Sequence, residues 1–527
     1  MLDTTKAETS NGRAGRRGGR RAGRGEGNNS GNHKIIQSPW RNLVNVYDPI
    51  KVVSDEAIER IHDASMKILE EIGMNFLLPE ARSILKEAGA KVDETTTRVR
   101  MSRELVMKYV NKAPSEFILH ARNPNHNLCV GGKNVNFSTV ASAPNAGDIE
   151  GGRRSGNYED FMKFVKLGQY FNTIHFFGGY PVEPTDIAPS IRHLDCLRDL
   201  TLLSDKVYSC YSLGVERNRD ALEIARIGRG VSHQQFDQEP SLTTVINANS
   251  PLIYDEHMLT GIIEMSRRNQ VVVLTPFTLA GAMSPVTVAG AIAQQNAEAL
   301  AGIAFAQMVR EGAPVVYGGF TSNVDMKTGS PAFGTPEYTR AAQISGQLAR
   351  HYGVPFRSSN VNASNCVDVQ ATYESQMALW GAIMGGANYL MHGAGWLEGG
   401  LCASFEKFVV DVDMLQQMAE YLQPIEVSEE TLAFEAMEDV GPGGHFFGTA
   451  HTQARYKSAF YSPFMSDWRN FETWRDAGRV DTTTRASEIY KQALSEYEKP
   501  VIDPAIEEEL NAFVDRRKAE GGAPSDF

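Results

Sequence analysis

Eight short apolar runs, each followed by a stretch with helical spacing, constrain this chain more than any other feature. They are NFSTV from Asn136, TIHFF from Thr173, VYSCY from Val207, TTVINA from Thr243, VVVLT from Val271, PVVYG from Pro314, VPFRS from Val354 and NYLMH from Asn388. Runs of this length, rich in β-branched and aromatic residues, read as strands, and the longer segments between them repeat apolar residues at three and four. Eight such units, at roughly 30 to 40 residues each, predict an α/β fold built as a closed (β/α)8 TIM barrel. In that architecture the ligand site lies where the strands end, so the residues just after each run are the functional candidates.

The remaining sequence divides around the barrel. Residues 1–34, with GRAGRRGGRRAGRGEG at their centre, are predicted to be a disordered Gly/Arg-rich tail. Residues 35–133 read as an N-terminal α+β extension. Its helices are expected from Ser54, Pro79 and Ser102, the first two stopped by Gly73 and Gly89. Residues 134–480 are assigned to the catalytic barrel with its C-terminal loops, and 481–527 to a charged helical arm, either a cap or a dimer contact.

Charge and cysteine usage exclude several classes. The net charge is −12, which argues against nucleic-acid binding by the protein as a whole. The tail alone holds eight Lys/Arg against three Asp/Glu; an RNA-associated tail is a minor alternative to a solubilising one. Five scattered cysteines without CxxC spacing argue against a disulfide framework or a closed zinc site. With no apolar stretch long enough to span a bilayer and no signal-peptide core, the expected location is cytoplasmic.

Aromatic rings recur at the strand ends: Tyr180, Tyr211, Phe277, Phe320 and Trp396, with Phe356 inside the seventh run. Several rings around one cavity suit a quaternary ammonium, which has no N–H to donate and is held by ring quadrupoles. Any one of them serves equally to plug the barrel mouth, but the set together with Asn249 and Asn360 favours a ligand pocket. Glycines beside several rings mark places of close backbone approach. Glu374, His392 and Asn360 are the candidates for a chemical role, although Asp368 and Glu374 also sit where a helix start favours carboxylates. His392, His445 and His451 could form a zinc site, but His445 reads better as a pocket residue, and no tightly bound metal is expected. Dinucleotide, Walker A, GxSxG and HExxH patterns are absent.

Three segments carry a family resemblance: GGFTSNVDMKTGSPAFGTPEY (318–338), VPFRSSN with DVQATYESQ (354–376) and GGHFFGTAHT (443–452). They resemble the trimethylamine methyltransferase family over roughly residues 50 to 500. The resemblance implies a TIM barrel that moves a methyl group from a methylated amine to the cobalt(I) of a corrinoid (cobalamin) carried by a separate partner protein. Trimethylamine-using members carry pyrrolysine just after the position of Ser359, where this chain has Val361, so a quaternary amine such as glycine betaine is the implied substrate. A carboxylate on that substrate would want donors from Asn249, Asn360, His392, His445 or Arg357. The loops around 445–464 are expected to receive the corrinoid protein, and a homo-oligomer is expected. The alternatives are a metal- or carboxylate-dependent TIM-barrel hydrolase or lyase, and a non-catalytic quaternary-amine-binding protein.

Overall fold

All eight runs form strands of one parallel barrel. A computed structural model describes residues 35–524. Its barrel strands are Asn134–Thr139, Phe176–Phe177, Val207–Tyr211, Leu242–Ile246, Val271–Leu274, Val315–Gly318, Phe356–Ser359 and Tyr389–Ala394. They hydrogen-bond in chain order, and the eighth closes on the first through Tyr389 opposite Asn136 and Leu390 opposite Phe137. The second strand is shorter than its run. The His175 ring accepts the Phe137 N–H at 3.0 Å and reaches the Arg41 carbonyl at 3.1 Å, standing in for a ladder bond there.

Each strand is followed by a helix, and six of the eight start at a side-chain cap, the second and third starting at Ala188 and Gly214 without one. Asn157, Asp255, Thr287, Thr335, Asp368 and Ser404 each accept a backbone N–H from the first turn, satisfying donors that no helical carbonyl can reach. The fifth barrel helix, Val288–Val309, is the longest. Its alanines and glycines let it run between the barrel and two extension helices, Asp55–Lys67 and Arg103–Val110. A Cβ on Gly302 would lie 2.6 Å from the Tyr254 hydroxyl.

The extension is stitched to the barrel rather than appended to it. Ile253–Tyr254, from the loop after the fourth strand, pairs in parallel with Asn75 and Phe76 of the extension sheet. Leu43–Val44 pairs antiparallel with the start of the first barrel strand. At the opposite end a small sheet of Asn145–Asp148, Gly152–Ser155, Trp396–Leu397 and Cys402–Ser404 builds up one side of the mouth. The sequence reading did not resolve it.

The C-terminal helices form an outer layer. Thr482–Glu496 packs on the first and eighth barrel helices, and Pro504–Ala519 on the second and third. Arg517 Nε donates to Asp220 at 2.7 Å, and Lys518 pairs with Asp195. Among the described residues no helix is long and apolar enough to cross a membrane, and all five cysteines are free. The Gly/Arg-rich tail lies outside the described residues.

Candidate active site at the barrel mouth

The strand ends surround a cavity of about 770 Å³. The seventh strand sets its most consequential charge. Successive side chains of a strand point to opposite faces, so Phe356 and Arg357 diverge. Arg357 lines the cavity, whereas the Phe356 ring sits behind the barrel wall, with ring edges close to where a Cβ would stand on Gly319 and Gly346. The expectation that Phe356 binds substrate is corrected by that alternation.

Arg357 is only 2 % exposed. Its guanidinium lies 4.8 Å from the centroid of the Phe320 ring, and its Nη2 is 3.4 Å from His392 Nε2. Among the described residues no atom partners its Nε or Nη1. Burial pushes its pKa down to about 10. An unpaired guanidinium is costly to bury, so its retention at the cavity wall is a property of the site and not of the core.

His392 stands beside it at an uncommon φ of 56°. Burial first, and the neighbouring guanidinium second, hold its imidazole well below the usual histidine range. The neutral ring accepts from Arg357 at Nε2, which leaves its proton on Nδ1, an atom that also has no partner among the described residues.

Four of the expected rings, Tyr211, Phe277, Phe320 and Trp396, line the same cavity. Trp396 is fixed by its indole N–H, which donates to the Asn362 carbonyl at 3.1 Å, and its ring lies 4.3 Å from that of His392. Tyr211 is fixed through its hydroxyl, which accepts from Ser142 and from the Tyr180 N–H, both at 2.9 Å. Two glycines make room for these rings. A Cβ on Gly400 would fall 2.5 Å from the Trp396 ring and one on Gly179 would fall 2.7 Å from Tyr211, both at positive φ. Replacing Trp396 by Ala is expected to weaken quaternary-amine binding by roughly tenfold or more, as titration calorimetry would read; unchanged affinity would remove the ring from the site.

Other expected residues lie elsewhere. Tyr180 packs behind Tyr211, ring centroids 4.6 Å apart, and is not on the wall. Glu374 turns away from the mouth: its carboxylate accepts the Ala363 and Ser364 N–H groups and the Gln370 amide, tying down the loop after the seventh strand. Asn360 is fully buried and donates to the Gly393 carbonyl and to Asp411. Its position is therefore a supporting one. Asn249 sits on the exposed rim with its amide on Asp255. His445 is exposed, lies outside the cavity and has its ring tilted against that of Phe447, centroids 6.1 Å apart. It cannot act with His392 from there. Among the described residues no group of three or more His, Cys, Asp and Glu could hold a metal ion. Val361 is fully buried and does not line the cavity.

The sequence reading missed two residues. Phe333 packs behind the wall, 5.8 Å from Phe320 and 6.2 Å from Trp396; it lay within SPAFGTPEY, but nothing in its spacing tied it to the strand ends. Glu183 is the one carboxylate among the described lining residues. It stands 3.6 Å from Arg192, and burial pushes its pKa up. Its place three residues beyond Tyr180 was the available signal.

Comparison with known proteins then decides the family. The model for trimethylamine methyltransferase (MTTB) matches residues 16–522. The chain belongs to the trimethylamine methyltransferase family. It is a methyltransferase, which sets aside the hydrolase, lyase and non-catalytic readings. The glycine betaine methyltransferase of Desulfitobacterium hafniense (strain Y51) is 38% identical over 472 residues, covering 89% of this chain and 98% of that protein. Trimethylamine methyltransferase MttB of Methanosarcina barkeri is 30% identical over 480 residues, covering 89% and 95%. The solved monomethylamine methyltransferase MtmB of Methanosarcina barkeri aligns with a TM-score of 0.49 at 10% identity, over 87% of this chain and 97% of that one.

Proposed function

We propose that this methyltransferase takes its methyl group from a small betaine, a quaternary amine that also bears a carboxylate, and passes it to a corrinoid carried by a separate protein. The observation that carries the substrate reading is Arg357: a buried guanidinium with two nitrogens unpaired, on the wall of a ring-lined cavity. A carboxylate there gains a charge-assisted hydrogen bond and removes the cost of the unpaired cation. The rings receive the ammonium end, which offers no hydrogen-bond donor. Glu183 adds a negative pole to the same wall.

The acceptor supplies a cobalt(I) nucleophile that takes the methyl group, while the C–N bond electrons stay on nitrogen and a tertiary amine departs. The chain's part is to hold the substrate in one orientation and keep water from the reacting carbon. No proton need move. The wall fits that economy: its described residues include no lysine or cysteine that would take the methyl group itself, and neutral His392 is spared for hydrogen bonding. The glycine betaine methyltransferase relative supports the same substrate class.

The test is loss of cob(I)alamin absorbance across a panel of quaternary and tertiary amines, with the cognate corrinoid protein also tried. Turnover of a betaine and not of choline or tetramethylammonium is expected; turnover indifferent to the carboxylate would overturn the substrate reading. Affinity also has a pH signature. Arg357 is protonated below its pKa of about 10, and only the cation pairs with a carboxylate. Betaine affinity should stay level from about pH 7 to 9 and fall about tenfold per unit above about pH 10. Tetramethylammonium, lacking the carboxylate, should show no such fall. An inflection near the ordinary histidine pKa instead would assign the recognition to His392.

A further inference from the structure

A betaine carries one charge of each sign, and so does the wall of the mouth cavity. Among the described lining residues the guanidinium is Arg357 and the carboxylate is Glu183. Arg357 lies in the seventh strand and Glu183 in the loop after the second. They stand three strands apart round a ring of eight, nearly across the mouth from one another.

Backbone pairing fixes Glu183. Val182 bridges Ala143 of the loop after the first strand, and the Glu183 N–H donates to the Ala143 carbonyl at 2.9 Å. The Glu183 carbonyl packs against Gly156 so closely that a Cβ there would fall 2.4 Å from it. Pro181 and Pro184 flank the pair, and a residue before proline is held to extended backbone. The carboxylate is therefore presented by a segment with little freedom.

Its protein partners do not satisfy it. Arg192 Nη1 stands 3.6 Å from Oε2, beyond hydrogen-bond range, while Arg192 Nε and Nη2 both donate to the Ile187 carbonyl. Arg217, the other neighbouring cation, sends Nη2 to the Pro189 and Pro524 carbonyls. Tyr211 shares with Glu183 the wall of the mouth and of a smaller adjoining chamber. Its hydroxyl is taken by Ser142 and the Tyr180 N–H, so the ring is what it offers a ligand. Ring and carboxylate both attract a diffuse positive charge that has no N–H to donate.

We infer that Glu183 is the charge-selecting residue of the site: it faces the ammonium end of the substrate beside Tyr211, while Arg357 takes the carboxylate end, so that the bound molecule lies across the mouth. This assignment rests on the betaine reading only at the carboxylate end. A neutral group of the same shape would strip water from the Glu183 carboxylate and return no charge, and is rejected for that reason.

Calorimetric titration with three ligands tests it. They are glycine betaine, the anion of tert-butylacetic acid (its carbon isostere, lacking only the positive charge) and tetramethylammonium, which lacks the carboxylate. The parent should prefer betaine over the isostere. Glu183→Gln should shrink that preference about tenfold or more and weaken tetramethylammonium by a similar factor. Glu183→Asp, which keeps the charge, should restore part of both. Arg357→Met should weaken betaine and the isostere alike and leave the preference intact.

The charge also has a pH signature. Burial raises the Glu183 carboxyl above its ordinary value, with Arg192 and Arg217 opposing. Around it, Tyr180, Cys196, Cys210 and Tyr211 are pushed up by burial and stay neutral, and His193 is turned to Asp220. A carboxyl is charged above its pKa, so tetramethylammonium affinity should be full above that point and decline as pH falls through it. In Glu183→Gln that decline should vanish. A Glu183→Gln protein with the parent's preference, or a parent that binds the isostere as tightly as betaine, would overturn the inference and leave the Arg357 assignment standing. Failure of the betaine reading looks different: Arg357→Met would leave betaine affinity unchanged while Glu183→Gln still weakened tetramethylammonium.

Discussion

An Arg357→Met enzyme is expected to bind glycine betaine about 10²–10³-fold more weakly while unfolding at a temperature no lower than the parent's. The two effects have one cause. With betaine bound, the methionine leaves a desolvated carboxylate without its partner, a loss of a few kcal/mol when one member of a buried pair is removed. Without betaine, the parent is the one carrying the burden. It is 2 % exposed, its Nε and Nη1 have no hydrogen-bond partner among the described residues, and its Nη2 makes one long contact to neutral His392 beside the Phe320 face. Methionine fills the space against Phe320 without needing a hydrogen bond, so stability is kept or gained, the usual exchange at a binding site held under strain. Calorimetric titration and thermal unfolding on the same preparations separate the outcomes. Tetramethylammonium should bind the variant at least as well as the parent, because a cation leaves the wall. Equal betaine affinity in the two proteins would sink the assignment of Arg357, and a large fall in unfolding temperature would make it a structural residue.

The barrel was legible because its signal is distributed. Eight runs such as VYSCY and VVVLT carry β propensity, and six of the eight alternating helices begin at Asn, Asp, Ser or Thr caps. The site was less legible because distance along the chain says little about which way a side chain points. Arg357 and Phe356 are neighbours in one strand, and period-two alternation alone sends one to the cavity and the other to the helices. Glu374, on the seventh barrel helix, and Asn360, just after the seventh strand, serve backbone groups of neighbouring segments that needed partners, and that need is invisible until those segments are built. The rings fared better. Tyr211 ends its strand and Phe277, Phe320 and Trp396 come within three residues of theirs, where the fold leaves them one place to go. His445 and the rest of the post-barrel loops could not be placed by such reasoning, since nothing local ties them to either end of the barrel.

The wall that carries His392 and Trp396 rests on a buried ion pair, and breaking it should be the most destabilising single change at the site. The eighth strand departs from regular pairing between Leu390 and Ala394, with His392 at φ 56° and Gly395 at φ 102°. That departure turns His392 into the cavity, and it strands backbone groups that a regular ladder would have paired. The Gly393 carbonyl accepts from Asn360, and the Gly395 N–H donates to Asp411 at 2.8 Å. Asp411 also accepts from Asn360 and is paired with Lys407, whose Nζ donates to Ser375 at 2.9 Å. Both Lys407 and Asp411 are fully buried. Lys407→Met removes the cation and leaves a carboxylate in the core with no counter-charge, a cost of about 3–5 kcal/mol. Asp411 cannot then be replaced freely, because Gly395 and Asn360 still need an acceptor. Lys407→Met/Asp411→Asn removes the charge and keeps an acceptor for one of the two donors, and should recover part of the lost unfolding temperature; Lys407→Met/Asp411→Leu should recover less, since it leaves both donors unpaired at about 1–3 kcal/mol each. Thermal unfolding of the four proteins orders them directly. If Lys407→Met melted with the parent, or if the leucine double variant were the more stable of the two, the pair would be incidental and the orientation of His392 and Trp396 would have to be set by packing alone.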